Sequence, residues 1–206
     1  MELQIKQVIS WMEKTNEKIQ SNKEYLTSLD QAIGDGDHGL NMARGFQEVV
    51  NKLSSSNYTY VSDVLKDVSM TLLSKVGGAS GPLYGTAFLK MSTALKGIET
   101  VDYPQFKKAV VEAVNGVKER GKANKGEKTM IDVWEPIVDF LQKQDNLEAK
   151  ELESTAEKAM EATQDLKATK GRAAYLKERS IGHLDPGSVS SYYIFAALSE
   201  VLEEGA

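Results

Sequence analysis

Apolar positions along this chain recur with a period near 3.6 and almost nowhere with a period of two. In "VSDVLKDVSMTLLSKV", residues 61–76, Val61, Val64, Leu65, Val68 and Leu72 fall on one helical face. The same spacing predicts helices over residues 3–19, 40–53, 81–96, 104–119, 130–143, 147–169 and 187–203, about eight in all. No segment sustains apolar–polar alternation, so little or no sheet is expected. Gly77-Gly78 and Gly97 stop helices, while "DYPQF" and "LDPGS" place Pro just inside a helix start beside a polar cap.

The glycines mark the joints between these helices. They gather at 34–39, 77–85, 121–126 and 182–187. In an up-and-down bundle alternate joints lie at one end, so several of these loops could share a site. Glycine lets a backbone approach a ligand closely, and free N–H groups at helix starts attract anions. No Pro/Gly/Ser-rich linker, fixed-period repeat or low-complexity stretch divides the chain, so residues 1–206 are expected to form one domain.

Composition narrows the function classes. A hydrophobic share of 41% and a charged share of 27% are ordinary for a globular protein. The net charge of −5 argues against nucleic acid as a partner. With no cysteine there is no disulfide scaffold, thiolate zinc site or Cys nucleophile, which fits a reducing compartment. The N-terminal stretch "MELQIKQVISWMEKTNEKIQ" has no signal-peptide apolar core, and no run approaches a membrane span; a cytoplasmic location is expected.

The candidate chemistry sits in "GDGDHGLN", residues 34–41. With Asp30 this segment assembles three carboxylates, Asp30, Asp35 and Asp37, that repel one another unless something positive joins them or water solvates them all. As a dinucleotide fingerprint "GDGDHG" lacks the preceding strand and the βαβ pattern. "GVKERGKA", 116–123, has Ala123 where a P-loop needs Ser or Thr. An EF-hand counted from Asp35 finds Leu40 and Phe46 at its sixth and twelfth positions instead of Gly and Glu. Two readings of the trio stay open: hard oxygen ligands for Mg²⁺ or Ca²⁺, and a solvated turn with capping aspartates. "GGASGP", 77–82, could offer N–H groups to an anion, and "RSIGHLDPG", 179–187, adds a cation, a histidine and an aspartate. Trp11 and Trp134 fall in apolar stripes and are expected in the core. Lys122, Lys125 and Lys128 are expected in a solvated loop.

Taken together and in order, "LDQAIGDGDHGLNMARGF", "GGASGPLYGT", "KTMIDVW" followed by Pro136, and "GRAAYLKERSIGHLDPGS" resemble the nucleotide-binding L subunits of bacterial dihydroxyacetone kinases. The resemblance runs from about residue 5 to residue 202. It implies an all-α barrel of about eight antiparallel amphipathic helices with an adenine nucleotide, ADP or ATP, at one end. It implies two Mg²⁺ held by Asp30, Asp35 and Asp37. It places His38, Gly39, Leu40, Asn41, Ala79, Ser80, Gly121, Met130, Arg179, Asp185, Pro186 and Gly187 along the nucleotide, with Arg172 an alternative to Arg179 in the same block. In such a system the sugar sits on a separate K subunit, and a phosphoryl-carrying M subunit of the phosphotransferase system recharges the bound ADP. An ATP-exchanging kinase subunit and a non-catalytic nucleotide-binding regulator are the competing functions.

Overall fold

The computed structural model describes residues 1–205. Its α-helices are α1 (Ile5–Ser21), α2 (Lys23–Ile33), α3 (His38–Ser54), α4 (Val61–Lys75), α5 (Ser80–Ala94), α6 (Tyr103–Gly121), α7 (Ile131–Lys143), α8 (Ala149–Ala162) and α9 (Pro186–Glu204). Two 3₁₀ segments, Thr163–Asp165 and Arg172–Ser180, lie between α8 and α9. The strands β1 (Glu2–Leu3) and β2 (Val101–Asp102) form an antiparallel pair of two residues each. The fold is therefore all-helical, as expected.

The helix starts are built as the sequence suggests. Asp102 accepts the Gln105 backbone N–H at 2.8 Å, and the Gln105 side chain accepts the Asp102 N–H at 3.0 Å. This reciprocal cap satisfies two otherwise unpaired donors, and Pro104 needs none. Asp185 caps α9 in one direction only, accepting from Ser188 N at 2.7 Å with Pro186 at the first helical position.

Two boundaries differ from the periodicity. The stretch 20–33 carries a helix, α2, that the pattern does not predict, because only Leu26 and Ile33 of its residues are buried. Asn22 alone separates it from α1 and leaves helical geometry, at φ −116°, ψ 14°. The helix expected over 147–169 ends at Ala162. Beyond it the chain enters a 3₁₀ turn and then an irregular strap.

From α3 to α9 each helix packs on the next, and α1 packs on both α3 and α9. One apolar cluster, drawn from all of these helices, fills the space between them. Trp11 sits 5.9 Å from Phe88, and Trp134 meets Phe195 edge-on at 4.9 Å. Both tryptophans are thus core residues, as expected. This neighbour order places the starts of α3, α5, α7 and α9 around a common cavity.

Candidate functional site

The cavity holds about 220 Å³. His38 and Asn41 from α3, Ser80 from α5, Met130 ahead of α7 and Pro186 of α9 all line it. Four helix N-termini, each carrying a partial positive charge, thus converge on one space. Such an arrangement attracts an anion.

Against this positive backbone stands the acidic loop. Asp30 lies on the last turn of α2, and Gly34 follows where a Cβ would fall 1.9 Å from Asp30 Oδ1. Asp30 Oδ2 accepts the backbone N–H groups of Asp37 at 2.9 Å and His38 at 3.1 Å. The carboxylate thereby ties the end of α2 to the start of α3. Asp35 Oδ2 pairs with Arg172 at 2.8 Å. Asp30, Asp35 and Asp37 each offer an oxygen, all within 4.8 Å of one another. Oxygens on opposite sides of one Mg²⁺ sit about 4.2 Å apart, so the trio has the scale and chemistry of a hard-cation site. No sulfur or imidazole competes, since Cys is absent and the His38 ring nitrogens already face serine hydroxyls.

The opposite wall is the glycine loop. Gly77 allows Asn41 to lie over it: a Cβ there would be 2.9 Å from Asn41 Oδ1. Gly78 takes φ +64°, the left-handed region that glycine enters without strain. Behind the loop, His38 Nδ1 is 3.1 Å from Ser80 Oγ and Nε2 is 3.0 Å from Ser190 Oγ. Burial pushes the imidazole down to about 4, against the pull of Asp30 and Asp37. At neutral pH it is therefore uncharged.

A third wall comes from the segment before α7 and the start of α9. Burial raises the Asp185 carboxyl to about 7, although Ser188 donates to it through both N and Oγ and Lys128 lies nearby. Lys128 corrects an expectation: it is buried, at φ +62°, not in a solvated loop. Its ammonium donates to the carbonyls of Thr163 at 2.8 Å, Leu166 at 3.0 Å and Gln164 at 3.4 Å. Burial lowers its pKa. Lys122 and Lys125 are exposed, as expected.

Of the residues that the sequence nominates, Asp30, Asp35, Asp37, His38, Asn41, Ala79, Ser80, Met130, Asp185, Pro186 and Gly187 line the cavity. Gly39, Leu40, Gly121 and Arg179 do not. Gly39 instead lets α3 press on α2, since a Cβ would lie 2.0 Å from the Lys23 carbonyl oxygen. Leu40 is 58% exposed. Gly121 packs on Leu83, which itself lines the cavity. Arg172, the alternative to Arg179, reaches the lining while Arg179 points to solvent. Sequence reasoning missed Tyr84, Thr129 and Lys170, and the left-handed backbone that turns Lys128 inward carries no compositional signal.

The chain matches known proteins in sequence and in fold. The DAK2 domain description fits residues 32–200, most of the chain. This chain belongs to the DAK2 domain family. Among DAK2 proteins, it is 52% identical over 204 residues to the Lactococcus lactis "PTS-dependent dihydroxyacetone kinase, ADP-binding subunit DhaL", covering 97% of this chain and 99% of that one. It is 51% identical over 190 residues to "PEP-dependent dihydroxyacetone kinase 1, ADP-binding subunit DhaL" of Listeria innocua, covering 92% and 93%. The DAK2 fold also superposes on the crystal structure of the C. freundii dihydroxyacetone kinase in complex with AMP-PNP and Mg²⁺. There the TM-score is 0.73 at 23% identity, over 94% of this chain and 33% of that longer one.

Proposed function

We propose that this chain is the ADP-binding subunit of a dihydroxyacetone kinase of the phosphotransferase-dependent kind. In this reading residues 1–206 are a single nucleotide-binding domain, an antiparallel helical barrel of about eight helices. The observation that carries the reading is the acidic trio facing four helix N-termini across one cavity. Either wall alone is commonplace. Together they suit a nucleoside diphosphate, whose charge needs both metal cations and N–H donors. Near-complete coverage of relatives named as ADP-binding subunits supports it.

In this reading Asp30, Asp35 and Asp37 hold two Mg²⁺. When bound, Mg·ADP supplies the carrier that receives a phosphoryl group from the M subunit and passes it to dihydroxyacetone on the K subunit. The chain's own groups position and neutralise, which is what phosphoryl transfer chiefly requires. Ala79 and Ser80 present the start of α5 to phosphate, Arg172 and Lys128 bring positive charge to the walls, and Leu83 and Met130 add apolar lining. No nucleophile on this chain is needed. Leu40, Tyr175 and Ile181 stand exposed on segments next to the lining, Tyr175 at 87%, and we read this rim as the docking face for the partner subunits. No described helix is long and apolar enough to cross a membrane, in keeping with the proposed cytoplasmic setting.

The test is reconstitution. The chain with Mg·ATP alone should not phosphorylate dihydroxyacetone, and dihydroxyacetone phosphate should form once a K subunit and a phosphorylated M subunit are added. Robust turnover by the highly purified chain alone would sink the proposal. Failure with both partners present would favour a non-catalytic regulator.

A further inference from the structure

A line of hydrogen bonds crosses the core behind the site. Trp134 Nε1 donates to Ser191 Oγ at 2.9 Å; Tyr84 Oη is 2.8 Å from Ser191 Oγ and 2.7 Å from Ser190 Oγ. Ser190 Oγ then meets His38 Nε2, and His38 Nδ1 meets Ser80 Oγ. Ser190, Ser191 and Trp134 are fully buried and do not line the cavity, whereas Ser80 does. The Pro186 carbonyl also faces the imidazole.

This line has a direction. An indole N–H can only donate, so Ser191 accepts from Trp134; the other partner of its hydroxyl is Tyr84 Oη, and its own hydrogen is placed there. Tyr84 passes its hydrogen to Ser190, and Ser190 passes its hydrogen to His38 Nε2. With Nε2 accepting from Ser190, the ring carries its proton on Nδ1 and donates to Ser80. Ser80, already satisfied as an acceptor, has its own hydrogen free to enter the cavity. In the reverse arrangement Tyr84 donates to the Gly187 carbonyl at 2.7 Å and Ser190 to the Pro186 carbonyl at 3.0 Å. Nε2 then holds the proton, Ser80 must donate inward to Nδ1, and only lone pairs face the anion. Bonds aligned head to tail reinforce one another, and the second arrangement breaks that alignment.

We infer that Ser190 is a positioning residue for the nucleotide: its hydroxyl donates to His38 Nε2, fixes the Nδ1–H tautomer and frees the Ser80 hydrogen for a phosphoryl oxygen. The inference rests on the proposed ADP site and names a residue outside it that sets its donor pattern.

Nitrogen-15 NMR of the imidazoles tests it in the wild-type chain, where only His38 and the exposed His183 contribute. With Mg·ADP bound, His38 should show a protonated Nδ1 and a bare Nε2. Binding of Mg·ADP with Nε2 protonated would overturn this inference and leave the nucleotide site standing; no binding at all would overturn both. In Ser190→Ala the ring proton should move to Nε2, towards the Pro186 carbonyl, and ADP should bind about tenfold more weakly, the scale of one hydrogen bond to a charged group. Ser80→Ala should lose a similar factor, and the double variant no more than either single. Ser190→Thr, which keeps the hydroxyl, should restore the Nδ1–H signal. Additive losses, or an unchanged tautomer in Ser190→Ala, would overturn the assignment, because a merely structural serine would not act through Ser80.

Discussion

The three aspartates are not equivalent, and their apo stabilities should separate them. Asp30 Oδ2 accepts two backbone N–H groups at the start of α3, at 2.9 and 3.1 Å. The Asp37 side chain makes no capping hydrogen bond to α3, and Asp35 makes only a surface pair with Arg172, whose side chain is 68% exposed. Removing a charged acceptor from two donors costs about 1.5–3 kcal/mol per bond when buried, and less here because water reaches the loop; we expect about 1–2 kcal/mol for Asp30→Ala. In a chain of this size that lowers Tm by roughly 3–6 °C. Asp37→Ala should leave Tm unchanged or slightly higher, since it relieves carboxylate crowding. Asp35→Ala should fall within about 1 kcal/mol of wild type, the worth of an exposed ion pair. The assay is thermal denaturation in EDTA without nucleotide, repeated with Mg·ADP. All three variants should lose the ligand-induced rise in Tm, which follows binding linkage. Equal apo destabilisation by Asp30→Ala and Asp37→Ala would refute the claim that Asp30 alone closes the loop.

Further expectations follow from the walls of the cavity. Because the folded Asp185 carboxyl is held at about 7, the unfolded chain binds fewer protons between about pH 4 and pH 7, and this group's contribution falls as pH rises through that window. Asp185→Asn should therefore gain roughly 2–4 kcal/mol on wild type between pH 5 and pH 8 in urea unfolding, and a pH-independent difference would contradict it. Gly39→Ala puts a Cβ 2.0 Å from the Lys23 carbonyl and should cost about 3 kcal/mol by forcing α2 and α3 apart; a neutral change would show that they yield. Lys128→Met strips three carbonyls of a buried cation and should destabilise by about 2–3 kcal/mol, while the exposed Lys122→Met stays within about 0.5; equal effects would place Lys128 in solvent.

Much of the fold was legible because most of its helices bury one stripe, although α9 is buried on nearly every side. The helix α4 is the plainest case, with Val61, Val64, Leu65, Val68 and Leu72 all buried at the expected spacing. The helix α2 escaped because its exposed face is wide and a single residue, Asn22, divides it from α1. The glycine joints pointed to the cavity because tight helix starts need small residues there. What joins those starts was invisible. His38 meets Ser190 from 152 residues away and Ser80 from 42. No local pattern encodes such a pairing. The choice between Arg172 and Arg179 also lay beyond spacing, since the chain turns between them at Lys177, φ 52° and ψ −124°.

Calorimetric titration of ADP into the chain, with Mg²⁺ present and again in EDTA, reads the metal-dependent nucleotide site itself. Stoichiometric ADP binding is expected with Mg²⁺, little or none in EDTA, and loss of the Mg²⁺-dependent part in Asp37→Asn, which keeps the turn while removing a hard ligand. Binding of ADP with the same affinity in EDTA, or full Mg²⁺-dependent binding by Asp37→Asn, would contradict a metal site built on the trio.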